Sequence, residues 1–318
     1  MINSEFKLIE SIKEKLDKTQ GLSENITGIG DDCAVYKISE GRYGIFSTDV
    51  SIENQHFNFK YTSLFNVGYR SMAANISDIY AMGGKPILAL TTIGVPKKFT
   101  QEMISELYDG IATCAVKYKA YIAGGDTSMS ESLIVNISIY GESSSPIYRS
   151  GAKGGDKIYM TGSTGLSLLG LRALQKKYDI INFKKAIAKH LKPEPRGDLI
   201  NYILEKYEPT AMIDISDGLL SDLGHICKMS NCGFELHLNK IPVESEIKKF
   251  CDTKKINTLD YTLYSGEEFE LIFTSPKDII GDNNITYIGD IIPYGYEAIS
   301  GGEKTLITTE GYDHFKHD

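Results

Sequence analysis

The chain has 318 residues, of which 42% are hydrophobic and 24% are charged, so its composition is that of a globular protein with one or two domains. Its net charge is −8 and it has no basic block, which excludes the usual nucleic-acid-binding classes. It has five cysteines without a Cys-x-x-Cys pair, no secretory signal and no apolar run of membrane-spanning length, so we expect a cytoplasmic protein that associates with no membrane.

The first half of the chain predicts strands that alternate with helices. A charged amphipathic stretch from Met1 to Gln20 comes first. A helix is expected over residues 64–82, because Thr62 or Ser63 can cap its start and Gly83-Gly84 can end it. The other predicted elements of this half are strands over residues 43–48, 87–95, 120–123 and 132–140, and a helix over residues 102–118.

A loop-like stretch follows, with three serines before Pro146 and then a glycine-rich segment that ends at Asp156. We place a domain boundary here, with an N-terminal domain of residues 1–147 and a C-terminal domain of residues 148–318. The alternation of strands and helices predicts an α/β (α+β) fold. The second domain is predicted to contain strands over residues 157–161, 234–238, 270–273 and 286–292, and helices over residues 165–177, 183–190, 197–206 and 217–230.

Aspartates beside glycine, serine or threonine recur along the chain. Small neighbours let the backbone approach a ligand closely, and carboxylates suit hard cations such as Mg²⁺. Two of the motifs are expected where a strand ends, and each motif taken singly is equally explained by a tight turn or a helix cap. The motifs are Gly30-Asp31-Asp32, Ser47-Thr48-Asp49, Asn75-Ile76-Ser77-Asp78, Gly124-Gly125-Asp126-Thr127 and Asp214-Ile215-Ser216-Asp217-Gly218.

Asp78 has the strongest individual argument for a bound cation. One face of the predicted helix carries it together with small or apolar residues at alternating spacings of three and four, namely Leu64, Val67, Ser71 and Ala74. That face should pack inward, where an unpaired charge near the helix C-terminus is costly. A cation would relieve that cost, and a lysine partner or backbone amides would do so equally well.

Two loops before predicted helices could present backbone amides to a phosphate. In the segment from Asp214 to Gly218, Ser216 or Asp217 could instead cap the helix without any ligand. The segment Gly162-Ser163-Thr164-Gly165 is as well explained by ordinary packing between a strand and a helix. The chain has neither a Walker A sequence nor a complete dinucleotide-binding fingerprint.

Together, the order and spacing of these motifs resemble the thiamine-monophosphate kinases, within the wider aminoimidazole ribonucleotide synthetase family. The resemblance extends over nearly the whole chain. Besides the aspartate motifs, it includes Arg149-Ser150-Gly151, His190-Leu191-Lys192-Pro193-Glu194-Pro195-Arg196, Ser265-Gly266-Glu267-Glu268 and Gly311-Tyr312-Asp313-His314-Phe315.

The resemblance implies ATP-dependent phosphorylation of thiamine monophosphate to thiamine diphosphate by in-line transfer, with several Mg²⁺ ions between the phosphates of the two substrates. It also implies a two-domain aminoimidazole ribonucleotide synthetase-like fold and a homodimer in which the N-terminal sheets of two chains form a barrel. Because the acceptor is already an ionised phosphate oxygen, no strong general base is expected. The alternatives are another ATP-dependent enzyme of the same superfamily, a divalent-metal phosphatase, and a nucleotide-binding regulator without catalysis.

The same resemblance implies a role for individual residues, carried over at the matching positions. The implied catalytic residues are Asp49, Asp126 and Asp217. The implied ATP contacts are Gly125, Asp126, Arg149 and Ser216, and the implied contacts to thiamine monophosphate are His56, Glu267 and Tyr312. The implied metal ligands are Asp32, Ser47, Thr48, Asp49, Asp78, Asp126, Asp214 and Asp217.

The chain departs from the family pattern in two places. Glu268 stands where the family has an aspartate, which lengthens one side chain next to Glu267. The chain also has no tryptophan, so any aromatic stacking on the thiazole ring of the substrate would fall to Tyr312 or a phenylalanine.

Overall fold

The computed structural model describes residues 4–21, 23–176, 180–279 and 284–309. In its first half, three helices accompany one sheet. The strands are β1 (Ile26–Thr27), β2 (Ala34–Ser39), β3 (Arg42–Ile52), β4 (Lys85–Pro96), β5 (Tyr121–Ser130) and β6 (Ile134–Ser143), and the helices are α1 (Glu5–Gln20), α2 (Leu64–Ala81) and α3 (Gln101–Lys117).

The strands of this first sheet lie in the order β1-β2-β3-β6-β4-β5. Only β4 and β5 run parallel to each other, and the other neighbours are antiparallel. Helices α2 and α3 pack closely on one face, since a Cβ atom at Gly68 would lie 2.1 Å from the Leu107 carbonyl oxygen. The opposite, outer face exposes large apolar side chains, including Phe46, Val50 and Leu90.

The second half contains a seven-stranded sheet in the order β13-β12-β9-β11-β7-β10-β8, in which only β9 and β12 are parallel. Its strands are β7 (Lys157–Thr161), β8 (Ala211–Asp214), β9 (Gly233–His237), β10 (Leu271–Ser275), β11 (Ile285–Ile292), β12 (Tyr296–Ser300) and β13 (Glu303–Leu306). Its helices are α4 (Leu166–Lys176), α5 (Lys184–Leu191), α6 (Ile200–Tyr207), α7 (Leu219–Ser230), α8 (Ser245–Lys254) and α9 (Leu259–Thr262), with short 3-10 helices at Ile180–Phe183 and Leu238–Lys240.

One large hydrophobic core joins the two halves. It connects Met72 and Ile76 of α2 with Tyr159 of β7 and Phe273 of β10. The rings of Tyr159 and Phe273 stack at a centroid distance of 5.5 Å. Because α2 packs both on its own sheet and against the second half, the polar residues of this helix lie where the two halves meet.

The mixed α/β architecture is confirmed, and most predicted elements are present with ends shifted by a few residues. Helix α2 begins as predicted, because the Ser63 hydroxyl accepts a hydrogen bond from the Asn66 amide at 3.3 Å. Strands β1, β2, β8, β12 and β13 and helices α8 and α9 were not predicted. Within the described ranges, no helix has both the length and the apolar character that crossing a membrane requires.

Two motifs that were expected at strand ends lie inside strands instead. Strand β3 continues past Thr48 to Ile52, because its ladder with β6 continues as far as the Ile52–Ile134 pair. Strand β5 runs through Gly124 and Gly125, since it pairs with β4 as far as Ser130. The turn and cap explanations of these two motifs are therefore wrong.

Candidate functional site

Three aspartates from distant parts of the chain meet at the junction of the two halves. Asp32 comes from the turn before β2, Asp78 from the last turn of α2 and Asp214 from the end of β8. One carboxylate oxygen of each lies within 4.8 Å of those of the other two. The Oδ2 atom of Asp32 is buried and accepts no hydrogen bond from the described residues. A converging set of carboxylates with an unused buried oxygen fits a divalent cation.

We call these three residues the Asp32–Asp78–Asp214 cluster. Side chains on α2 and β3 bond to two of its members, Asp214 and Asp78. The Ser77 hydroxyl donates to Asp214 Oδ2 at 2.5 Å. The Ser47 hydroxyl donates to Asp78 Oδ2. The backbone amide of Asp49 donates to Asn75 Oδ1 at 3.2 Å, which ties β3 to the same helix. The helix thus presents Asp78 together with polar groups that bond to the middle of β3 and to the end of β8.

The cluster carries more negative charge than its surroundings neutralise. Burial, followed by the charge of Asp32, raises the pKa of Asp214 to about 8 and that of Asp49 to about 6. Asp78 keeps some accessible surface, yet burial and then the charges of Asp49 and Asp214 raise its pKa well above the usual range. Asp78 and Asp214 therefore favour the protonated state near neutral pH unless a cation lies between the carboxyl groups.

Arg149 supplies one positive charge at the edge of the cluster. Its Nη2 donates to Asp32 Oδ1 at 2.5 Å, and its backbone amide donates to the two carboxylate oxygens of Asp31 at 3.1 and 3.2 Å. Burial and the adjacent Asp32 nevertheless raise the pKa of Asp31 to about 7. Of the two adjacent acids, Asp31 thus anchors the backbone at the domain junction, while Asp32 faces the cluster.

A second group of possible ligands lies at the start of α7. Oxygen or nitrogen atoms of Asp217, Asp222 and His225 lie within 4.8 Å of one another. Burial, followed by Asp217, raises the pKa of Asp222 well above its usual range, and burial lowers the pKa of His225 to about 4. Neither Asp222 nor His225 was predicted from the sequence. The face argument that identified Asp78 also applies to Asp222, which shares a buried face with Leu219 and Ile226.

The backbone amides at both proposed phosphate loops are already bonded to protein carboxylates. Asp222 Oδ2 accepts the amides of Ser216, Asp217 and Gly218 at 3.1 to 3.2 Å. Gly218 is the N-cap of α7, so the prediction that Ser216 or Asp217 caps this helix is wrong. The amide of Gly165 donates to Glu268 Oε1 at 2.7 Å, which decides in favour of ordinary packing for the segment from Gly162 to Gly165.

Thr48 and Asp126 lie apart from the cluster. The Thr48 hydroxyl contacts Ser138 at 3.0 Å, on the face of the sheet that carries Phe46 and not on the face that carries Ser47. Asp126 is exposed on the edge strand β5. Asp126 is not among the carboxylates that converge within 4.8 Å in the described residues, so its role as a metal ligand stays a prediction.

Gly125 allows β4 and β5 to approach each other closely. A Cβ atom at this position would lie 1.7 Å from the Thr91 carbonyl oxygen, and the residue has a φ of +157°. No other residue type fits such an approach without a shift of the strand. The glycine in this motif thus has a packing role that does not depend on any ligand.

The predicted substrate contacts lie on separate elements. Glu267 forms an ion pair with Arg70 of α2. Arg70 was not predicted, and as a single arginine on a helix it gives no recognisable sequence signal. His56 follows β3, and its Nδ1 accepts the Ile52 amide at 3.0 Å, so this nitrogen is unprotonated. Tyr312 lies outside the described residues.

Comparisons with known proteins agree over nearly the whole chain. The N-terminal domain of AIR synthase related protein matches residues 30–143, and the C-terminal domain of AIR synthase related protein matches residues 153–279. Thiamine-monophosphate kinase of Buchnera aphidicola subsp. Schizaphis graminum is 38% identical, over 98% of this chain and 99% of the relative. Thiamine-monophosphate kinase of Bacillus subtilis is 32% identical, again over 98% and 99% of the two chains. The solved structure of AaThiL complexed with AMPPCP and TMP superposes with a TM-score of 0.88 and 30% identity, covering 98% of this chain and 97% of that one.

Proposed function

The chain belongs to the AIR synthase related family, among its thiamine-monophosphate kinases, and we propose that it transfers the terminal phosphoryl group of ATP to thiamine monophosphate, forming thiamine diphosphate and ADP. The observation that carries this proposal is the match, over 98% of the chain, to a structure complexed with AMPPCP and TMP, which we interpret as an ATP analogue and thiamine monophosphate. The carboxylate cluster between the two halves supplies the local chemistry that such a transfer needs.

Several Mg²⁺ ions would be held by the carboxylates where the two halves meet. Asp32, Asp78 and Asp214 would form one site, with Asp49 and the Ser47 hydroxyl next to it, and Asp217 would contribute to a second site beside Asp222 and His225. The unused Oδ2 of Asp32 and the raised pKa values support this assignment. When bound, Mg²⁺ neutralises the charge on phosphate oxygens and orients them. Thr48 and Asp126 are kept as proposed ligands on the family resemblance alone.

The protein's own part in the reaction is to position groups and balance their charges. Arg149, Ser216, Gly125 and Asp126 are proposed to contact ATP, and His56, Glu267 and Tyr312 are proposed to contact thiamine monophosphate. Asp49, Asp126 and Asp217 would be catalytic by holding Mg²⁺ beside the transferring phosphate, without accepting a proton from the substrate. The acceptor is ionised near neutral pH, so in-line transfer requires no nucleophile–base pair.

The direct test of this function uses purified protein with ATP, Mg²⁺ and thiamine monophosphate. We expect thiamine diphosphate and ADP to form in equal amounts, because one phosphoryl group moves between two phosphate oxygens. Chromatographic separation of the thiamine phosphates measures the product. Hydrolysis of ATP without thiamine diphosphate would favour a phosphatase, and binding of ATP without turnover would favour a regulator; either result would overturn the proposal.

We further propose that the outer face of the first sheet is covered by a second copy of the chain, which would close the two sheets into a barrel. Within the described residues this sheet is open, with β1 and β5 at its edges. Its outer face exposes Phe46, Val50 and Leu90, each with 42 to 48% of its surface accessible. An exposed apolar patch of this kind is typical of a subunit interface.

Placing a charge on this face should separate the subunits. Leu90→Asp buries a carboxylate in the proposed interface while leaving the isolated chain unstrained, because the side chain is 46% exposed. We expect the wild-type chain to elute from size exclusion with light scattering at twice the chain mass and Leu90→Asp at the chain mass. Tyr294→Asp, at an exposed position of the second half, is the matched control and should remain dimeric. A wild-type monomer, or a dimeric Leu90→Asp variant, would contradict the interface.

Two further assignments complete the proposal. We keep the boundary between residues 147 and 148, which falls between the two matched family segments and between β6 and β7. We also propose that the protein works in the cytosol, because all five cysteines carry free thiols, as is usual in a reducing compartment.

A further inference from the structure

Glu268 is a buried carboxylate that the proposed reaction does not use. Its Oε1 atom accepts three hydrogen bonds, from the amide of Gly165 at 2.7 Å, the amide of Ser167 at 2.9 Å and the hydroxyl of Ser265 at 2.6 Å. Ser265 in turn accepts the amide of Leu168 at 3.1 Å. The carboxylate therefore connects the turn that contains Glu267 to the first turn of α4.

The same turn has a backbone conformation that needs support. Glu267 and Phe269, on either side of Glu268, have φ values of +56° and +52°, in the left-handed region that side chains with a Cβ disfavour. The amide of Glu267 donates to the Ser216 carbonyl at 2.7 Å, and the amide of Phe269 donates to the Ile215 carbonyl at 2.9 Å. These bonds hold the turn against the loop before α7, which contains the proposed ATP contact Ser216.

The turn also brings Glu267 to the first half of the chain. The Glu267 carboxylate pairs with Arg70 of α2, whose side chain is only 13% exposed. Arg70 Nη1 in turn lies 3.2 Å from His190 Nε2, so the arginine is held by a neighbour on α5. Glu267 thus reaches a fixed partner only if the turn keeps its unfavourable backbone conformation.

We propose that Glu268 is a positioning residue for the thiamine monophosphate site: by tying the 265–269 turn to α4, it holds Glu267 opposite Arg70 in the conformation that receives the substrate. This inference rests on the proposed function, since it assigns Glu267 to that substrate. It predicts an effect of Glu268 on the affinity for thiamine monophosphate and not on the affinity for ATP. If the carboxylate only stabilised α4, its removal would lower the melting temperature and leave the affinities for both substrates unchanged.

Three variants separate the two roles. Glu268→Ala removes the acceptor of all three hydrogen bonds. Glu268→Asp keeps the charge but withdraws it by one methylene. Glu268→Gln is the matched control, because its amide oxygen can occupy the place of Oε1, and its nitrogen falls at Oε2, which has no hydrogen-bond partner among the described residues. The measurements are kcat and KM for each substrate, with melting temperatures in parallel.

We expect Glu268→Ala to raise KM for thiamine monophosphate about ten-fold or more, because the buried donors that Glu268 now satisfies would lose their acceptor and the turn would lose its support. The KM for ATP should change less than about two-fold. Glu268→Asp should lie between, and Glu268→Gln should remain within about two-fold of wild type. Glu267→Gln should raise the KM for thiamine monophosphate as well. The double variant with Glu268→Ala should show little further increase, because both changes remove the same interaction with the substrate.

An unchanged KM for thiamine monophosphate in Glu268→Ala, or an equal rise in both KM values, would overturn the proposal whatever the melting temperature. If Glu268→Ala does not yield folded protein, the comparison of Glu268→Asp with Glu268→Gln applies the same criterion. A wild-type chain that forms no thiamine diphosphate would instead overturn the proposed function, and this inference with it.

Discussion

Replacing Asp214 with asparagine should lower turnover by about a hundred- to a thousand-fold without unfolding the protein, because removing one group that stabilises transition-state charge typically costs this much. Asp214 lies with Asp32 and Asp78 in the buried cluster, so the variant loses one of three converging charges. The neutral amide can still accept the hydrogen bond that Ser77 now donates. Steady-state formation of thiamine diphosphate measures the effect.

The stability of this variant is as informative as its activity. Because burial and neighbouring carboxylates raise the pKa of Asp214 to about 8, the native charge is unfavourable without a cation. We therefore expect metal-free Asp214→Asn to melt no lower than the metal-free wild type. The control is Asp252→Asn on the exposed surface of α8, which should keep full activity. Near-normal turnover in Asp214→Asn would remove Asp214 from the metal site.

Without metal, the protein should lose stability as the pH rises from 5.5 to 8.5. The folded-state pKa values of Asp49, Asp31 and Asp214 are raised to about 6, 7 and 8, whereas the unfolded chain releases these protons near pH 4. The folded state therefore binds more protons than the unfolded state throughout this range. The contribution of these three carboxyl groups to stability is fully present below about pH 4 and is lost as the pH rises through the raised values.

Mg²⁺ should reverse this trend, because it competes with protons for the same oxygens. We expect the rise in melting temperature on adding Mg²⁺ to be larger at pH 8.5 than at pH 5.5, by about 5 °C or more for a combined shift of several pKa units. Scanning calorimetry with EDTA or with excess Mg²⁺ at both pH values measures it. In Asp214→Asn the pH dependence should be weaker. A Mg²⁺ effect that is equal at both pH values would contradict the electrostatic account of the cluster.

Among the aspartates, only Asp78 could be argued from local sequence; the others were assigned by the resemblance to a family. Asp78 was identified from helical spacing, and the structure places it in the cluster with Asp32 and Asp214. Asp222 shows the same spacing with Leu219 and Ile226 but was not predicted, because an acid in the first turn of a helix is usually exposed. Helix α2 and strand β7 were also recoverable, since each has strong end signals or a continuous apolar run.

Other features depend on tertiary pairing that local patterns do not contain. The Ser47–Asp49 motif lies within β3 because β6 continues to pair with it, and that pairing assigns Ser47 and Thr48 to opposite faces. The partners of Glu267 and Glu268 come from α2 and from the start of α4, at sequence separations that no spacing argument covers. Such contacts become visible only when both halves are in place.

The most direct test of the metal centre is Mn²⁺ binding, followed by electron paramagnetic resonance, in the wild type and in Asp214→Asn at pH 8. Mn²⁺ suits the same carboxylate ligands as Mg²⁺. The account predicts that the wild type binds Mn²⁺ and that Asp214→Asn binds at least one ion fewer per chain, or binds it at least about ten-fold more weakly. Equal stoichiometry and affinity in the two proteins would contradict the claim that Asp32, Asp78 and Asp214 form a metal site.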